Sequence, residues 1–336
     1  WKHFGSKRKF LLIALTEDNR IQAALPLMRS TYRFFGLTMR KVGFIGAPES
    51  DYQSFLLTDR NPQHAKTMIQ YLCNRVRDWD FVELTDIPEN SETARILSVI
   101  PWGPTRPEKM PWGSCPYISL PNRWEDYLPV LGSRFRKNLR RNERRLRKNY
   151  KLDFRICNDF QHIDDAMETF INLNQERRTS MRKLGIFSDP RVRNFHLDLA
   201  RLLAQRGWLV LDFVMLDDKA VAAGYNFKYA NKLVCYQTGF DPQYAKYSIG
   251  SILHMYLIRD CLNNGLLEYD LLRGEEPYKR NWTTLTRRTL RFRAARNKFV
   301  DVVSKWVGKD DLVSRFIEAG TEKLTGLKVV RLTDGD

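Results

Sequence analysis

LVLDFVMLDDKAVAAGYNF, residues 209–227, sets two apolar runs on either side of a polar turn. Leu209–Leu216 and Val221–Phe227 carry residues suited to a pleated strand, and Asp217-Asp218-Lys219 between them is a tight-turn sequence, so the stretch predicts an antiparallel hairpin. Downstream, Leu233–Thr238 extends the sheet, Ile249–Asn263 predicts a helix stopped by Gly265, and Glu268–Leu272 reads as a further strand. Upstream lie helical patterns over Ile163–Arg178 and Arg191–Gln205, the first followed by a turn at Lys183-Leu184-Gly185 and the second ended at Gly207. Antiparallel strands followed by a helix and another strand define a mixed α/β domain rather than a doubly wound sheet.

The same turn occurs near the start of the chain. Phe10–Leu15 and Ile21–Met28 flank Glu17–Arg20, and Asp18–Ala24 (DNRIQAA) parallels Asp217–Ala223 (DDKAVAA). Two such hairpins about two hundred residues apart predict a duplicated domain. A strand-rich stretch over Val42–Leu57, a helix over His64–Arg77 and a strand at Phe81–Leu84 complete the first copy. Six prolines between Pro101 and Pro121 read as an interdomain connection. The expected divisions are residues 1–121, a connecting segment 122–160, and 161–336, where a last helix is expected over Val300–Leu324.

Composition narrows the functional classes. The chain has 336 residues, is 43% hydrophobic and 12% aromatic, and so can form packed cores. Its longest apolar run, Phe10–Leu15, is far shorter than the roughly 20 residues of a membrane-spanning helix. Five scattered cysteines without a C-x-x-C pair predict buried thiols in a reducing cytoplasm, and Cys235 and His254 read as core residues. No histidine spacing matches a metal motif, so no metal is expected. The chain opens at Trp1 rather than Met, and the natural N-terminus is expected upstream.

A net charge of +17 implies an anionic partner. The charge concentrates in Arg134–Lys151, where ten residues are basic and only Glu143 is acidic. Phe135, Leu139, Asn142 and Leu146 form one stripe, so this helix should dock along that line and expose its basic faces. Those faces could be solvated, or could meet an anionic acceptor, a membrane surface, CoA phosphates or nucleic acid.

Two segments carry candidate chemistry. In Tyr236–Leu253 (YQTGFDPQYAKYSIGSIL) a strand runs through a turn at Asp241-Pro242 into a helix opened by Ser248-Ile249-Gly250-Ser251. Small residues there leave backbone N–H groups accessible at the positive end of the helix, where a pyrophosphate fits, with Lys246 as an added cation. A plain capped helix start is the alternative. In Tyr269–Trp282 (YDLLRGEEPYKRNW) the polar residues Asp270, Arg273, Glu275, Glu276, Tyr278 and Lys279 gather at and beyond a strand end, as a site or a solvated loop.

With Asn174–Phe187 (NQERRTSMRKLGIF), Arg136–Leu146 (RKNLRRNERRL) and Ile45–Leu57 (IGAPESDYQSFLL), these segments resemble the CelD/BcsL group of the GNAT superfamily, BioF2-like acetyltransferases associated with cellulose biosynthesis. The resemblance implies an α/β (α+β) fold of two GNAT-like domains, each a mixed, mainly antiparallel sheet flanked by helices, as in FemX-type transferases. It implies acyl transfer from acetyl-CoA or another acyl-CoA to an amine or hydroxyl, with Tyr244, Lys246, Ser248, Ile249, Gly250 and Ser251 at the donor. The family's Q/R-x-x-G-x-G/A loop appears here as KYSIGS, with one glycine.

Asp270 is the expected general base, with Glu275 second and Tyr278 as acid or acceptor contact. Strand amides around Gly224–Phe227 or Tyr236–Gly239 would polarise the thioester. Arg177, Arg178, Arg273 and Lys279 are the expected substrate contacts. The first domain, lacking such a loop, is expected to be non-catalytic. The expected partner is a small-molecule or saccharide acceptor. An anionic or membrane-associated partner could bind the basic helix, making the protein cytoplasmic and peripheral to the membrane. The rival readings are an aminoacyl-tRNA-dependent transferase and an inactive GNAT-fold binding module.

Overall fold

The computed structural model describes residues 1–34, 37–47, 49–58, 61–102, 107–157 and 162–305. The first half comprises β1 (Arg8–Glu17), β2 (Arg20–Phe34), β3 (Leu37–Phe44), β4 (Leu56–Leu57), α1 (Pro62–Asn74), β5 (Phe81–Pro88), α2 (Glu92–Val99) and β6 (Glu108–Ser119). There follow α3 (Trp124–Tyr127), α4 (Ser133–Asn149), β7 (Leu152–Cys157), α5 (Ile163–Ser180), α6 (Pro190–Gln205), β8 (Leu209–Leu216), β9 (Lys219–Tyr229) and β10 (Lys232–Phe240). The helix α7 (Ile249–Asn263) leads to β11 (Glu268–Asp270) and β12 (Thr286–Ala295). Residues 298–305 begin a further helix; the rest of the one expected over Val300–Leu324 lies outside the described residues.

The two hairpins match in backbone detail. Asp18 and Asn19 in the first, and Asp217 and Asp218 in the second, all have positive φ, the conformation that a two-residue hairpin loop needs and that Asp and Asn tolerate. Each hairpin also carries a bulge at the same place: Gln22 is extruded opposite Leu15/Thr16, and Val221 opposite Val214/Met215. Beyond the hairpin the order repeats as strand, helix, strand: β3-α1-β5 in one half and β10-α7-β11 in the other, each closing strand pairing parallel for only two or three residues.

Both halves share one sheet, in the order β1-β2-β3-β5-β12-β6-β11-β10-β9-β8-β7, with β4 added beside β2. The expected connection over Pro101–Pro121 is therefore in large part β6, which lies mid-sheet between β12 and β11. Its prolines are tolerated for local reasons: Pro111 sits beside a bulge in the β12 pairing, and Pro116 lies just beyond the β11 ladder at residues 117–119, where its carbonyl accepts the Leu271 N–H and no donor is required of it. β12 was not foreseen. It leaves the second half and pairs with β5, so the sheet does not divide at residue 121.

Helices cover both faces. α7 packs its apolar side chains with the buried Leu139 and Leu146 of α4 against one face of the second half, where Phe135 meets Trp282 edge-on at 4.9 Å. α5 and α6 cover the other face through Phe170, Ile171 and Ala200. α5 lies so close to β10 that a Cβ at Gly239 would collide with backbone of Leu173 and Asn174. That close approach carries the last turn of α5 onto the strand edge.

Candidate active site

The parallel pairing of β10 with β11 covers only Lys232–Val234 against Glu268–Asp270. After Asp270 the chain turns away: Leu271 N–H donates to Pro116 O, Leu272 takes a left-handed φ of 56°, and Gly274 N–H donates to Ser114 O. β10 continues without its neighbour through Cys235–Phe240, and its pairing with β9 shifts register between Cys235 and Gln237. A splayed strand with a bulge presents unpaired backbone amides at one point. A cavity of about 920 Å³ opens there, with Cys235–Thr238 on one wall and Leu271–Arg273 on another.

At the end of β10 the turn Pro242–Tyr247 is capped by Asp241, whose side chain accepts from Gln243 N–H. Ser248 then adopts φ 52°, ψ 46° and makes no side-chain cap, so α7 begins bare. The first amides of a helix have no intrahelical acceptor, which leaves the Ile249 and Gly250 N–H groups for an anion. Ser248 holds the left-handed conformation that glycine adopts most readily. Ile249 contributes only its amide, since its side chain is buried. Gly250 and Ser251 are partly open. Lys246 is exposed above the Tyr247 ring at 5.3 Å, and Tyr244 packs edge-on to Tyr150 at 5.9 Å. Arg145 of α4 stands 5.0 Å from the Tyr247 ring, so the basic helix borders this cradle.

All four expected substrate contacts, Arg177, Arg178, Arg273 and Lys279, line the one cavity, as does Tyr278. Arg177 is locked by donating to Thr238 O at 3.1 Å and Thr238 Oγ1 at 2.8 Å. Lys279 is buried and donates to Leu272 O, Arg273 O and the Glu276 carboxylate. Tyr278 stacks on His254 at 5.6 Å, and burial raises its phenol above the usual range. His254 is a core residue, 2.7 Å from Tyr269 OH through Nδ1. Cys235 reaches the cavity, with its thiol pushed up to about 12 by burial.

Asp270 does not face this cavity as a free base. Its Oδ1 accepts Leu272 N–H at 2.8 Å, and its Oδ2 accepts Tyr52 OH at 2.7 Å and Arg287 at 2.8 Å. Burial pushes the carboxyl upward against the pull of these partners. The geometry instead makes Asp270 the group that turns the chain away from β10. Glu275 is largely exposed, 3.7 Å from Arg280, and does not line the cavity.

The first half adds carboxylates to this cavity. Residues 49–55 cross the end of β5, where Gln53 N–H donates to Asp86 O. The loop brings Glu49 and Asp51 to the cavity wall. Asp51 lies 3.4 Å from Arg273, which also pairs with Asp86. Two carboxylates share that guanidinium, and burial, reinforced by Asp86 and Asp270, pushes Asp51 up to about 6. Its signal in the sequence is only a pair of acids in a loop containing Gly and Pro. Among the described residues no cluster of His, Cys, Asp and Glu has the make-up of a metal site.

Residues 133–280 match the model of the acetyltransferase (GNAT) domain. They include the splayed strands, the α7 cradle and most of the cavity. The fold is thus a doubled GNAT-like α/β architecture with one mainly antiparallel sheet flanked by helices. Among solved structures, FemX aligns at TM-score 0.56 and 10% identity over 89% of this chain and 90% of that one. The C-terminal domain of a protein described as a lysylphosphatidylglycerol synthetase from Agrobacterium fabrum aligns at TM-score 0.56 and 11% identity, over 95% and 90%. L-PGS from Bacillus licheniformis aligns at 0.51 and 11%, over 90% of each. At such identities the likeness concerns the fold. No curated protein matches the sequence.

Proposed function

We propose that the protein transfers an acyl group, acetyl being the simplest, from acyl-CoA directly to the amine or hydroxyl of a small-molecule or saccharide acceptor. The observation that carries this reading is the coincidence, at the end of one strand, of a splayed bulge, a bare helix start and a cavity. The Ile249 and Gly250 amides, with Ser248, Ser251 and Lys246 around them, suit the pyrophosphate. The bulge of β10 at Tyr236, beyond the pairing with β11, suits the thioester carbonyl, where fixed donors stabilise developing negative charge. The acceptor nitrogen or oxygen bonds to the carbonyl carbon, the carbon–sulfur bond breaks, and CoA leaves as the thiolate. Asp51 takes the acceptor's proton, because it is the cavity carboxylate with an affinity near neutrality.

In the first half the corresponding opening is crossed by residues 49–55, so donor binding is assigned to the second half alone and the first half contributes Asp51. The CelD/BcsL resemblance, and with it a link to cellulose or other polysaccharide synthesis, belongs to the same proposal. A second reading, an aminoacyl-tRNA donor as in FemX-type enzymes, draws on α4: Arg134, Arg141, Arg145 and Lys148 recur along one edge without an ion-pair partner among the described residues. A polyanion or anionic surface would meet that edge.

Acetyl-CoA binding is the test. At a hundredfold excess over Kd it should stabilise the fold by about 2.7 kcal/mol, read as a rise in Tm. Gly250→Glu should abolish the rise. A Cβ at Gly250 meets only ordinary contacts with the Phe240 ring, so the loss would report charge repulsion and not misfolding. No shift with any acyl-CoA, together with salt-sensitive binding of tRNA far above that of other polyanions, would favour the second reading.

A further inference from the structure

The charges around the cavity are unevenly distributed. Of its carboxylates, Asp51 is held by Arg273, Glu276 by Lys279, and Asp189 by Arg191 at 2.7 Å while it caps α6. Glu49 stands on the first-half side with Asp51. Another part of the lining, formed by the end of α5 and the turn after it, carries Arg177, Arg178 and Lys183. None of these three has a carboxylate partner among the described residues. A cation in the last turn of a helix offsets the helix dipole, which accounts for charge at this place but not for its direction. Arg177 points inward, fixed by Thr238 and resting over the Phe240 ring at 5.3 Å, and its Nε is buried without a hydrogen-bond partner. Burial lowers its proton affinity, and the nearby Tyr278 and Glu276 offset that cost only in part.

We propose that the acceptor carries an anionic group, a carboxylate or a phosphate, which Arg177, Arg178 and Lys183 hold on the α5 wall while its nucleophile faces Asp51. This rests on the acyltransferase reading and specifies its second substrate. An acceptor spanning the cavity would thus have a nucleophilic end and an anionic end. A planar guanidinium with fixed orientation suits either oxyanion. Cys235–Thr238 of β10 line the same cavity, where the acyl carbon would be presented.

Matched pairs separate the anion from the rest of the acceptor: phosphoethanolamine against ethanolamine, glycine against glycinamide, and glucosamine 6-phosphate against glucosamine. Each is titrated calorimetrically into the full chain at low salt, with and without acetyl-CoA. At least one anion-bearing compound should bind tenfold or more tightly than its neutral partner. Arg177→Gln should remove that preference while leaving the acetyl-CoA shift intact. Arg178→Gln with Lys183→Gln, which spares the Thr238 contacts, should weaken it by about threefold to tenfold even if Arg177→Gln does not fold. The amino-acid and phosphate arms distinguish the two oxyanions. Equal binding of neutral partners, or binding of none of the anionic compounds, overturns the proposal. Loss of acetyl-CoA binding alone, with anion preference retained, counts instead against the acyl-CoA reading.

Discussion

Asp270, the base that the sequence nominates, has its carboxylate oxygens engaged within the fold, whereas Asp51, which the sequence does not single out, lines the cavity. Asp270 alternates with apolar neighbours in a strand, the pattern of a carboxylate drawn inward, and it is indeed buried; its oxygens are taken by Leu272 N–H, Tyr52 and Arg287. A carboxylate so engaged is a structural anchor. Asp51 keeps one guanidinium at 3.4 Å, shared with Asp86, and faces the cavity. With its affinity at about 6, Asp51 is mostly protonated below that pH and ionised above it. Acyl transfer with an acceptor whose own proton does not titrate nearby should therefore rise with pH through a midpoint near 6 and level off above. Asp51→Asn should lower kcat by about 10²- to 10⁴-fold, the usual contribution of a general base, and erase that limb. An unchanged pH profile in Asp51→Asn would remove it from the mechanism. That Asp51 reaches the cavity is not legible in the sequence, because nothing local distinguishes it from Asp18 or Glu89.

Among the elements, the hairpins and long helices were legible because each carries its own periodic signal. The stripe Phe135, Leu139, Asn142 and Leu146 docks as expected, with Leu139, Asn142 and Leu146 buried. β12 was not legible. Arg287, Arg288, Arg291 and Arg293 mask the alternation of Leu290, Phe292 and Ala294, and a run so basic reads as surface. The structure supplies the missing partners: Arg287 meets Glu268 and Asp270, Arg291 meets Glu83, and Arg293 meets Asp301 and Ser304. Phe292 is fully buried in the first-half core although its strand follows the second half. Phe292→Ala should cost about 3–5 kcal/mol, measured by urea unfolding. A cost below 1 kcal/mol would mean that β12 is not an integral strand.

At the scale of the whole molecule, β6 and β12 cross between the halves and make the sheet continuous. Tyr52 and Asp51 extend the joint through side chains to Asp270 and Arg273. The chain should unfold in one transition. Trp102 in the first half and Trp282 in the second are both buried, so variants retaining one or the other as reporter should give coincident urea curves. Residues 122–336 alone, lacking β6, should not unfold cooperatively. Two separated transitions, or a cooperative isolated second half, would show that the halves are autonomous.

Sequence by itself determined the local elements, the repeated hairpin, the basic helix and the helix start suited to an anion, because these depend on periodicity, turn chemistry and residues close in the chain. It also picked out Arg177, Arg178, Arg273, Tyr278 and Lys279, whose position at or beyond element ends survives folding into one cavity. Tertiary structure alone decided that β6 is a strand, that β12 joins the first half, and that Asp270 is anchored while Asp51 faces the site. Those outcomes depend on strand pairing and burial between residues as much as two hundred positions apart, such as Tyr52 and Asp270, and no local pattern encodes which carboxylate finds its partners there.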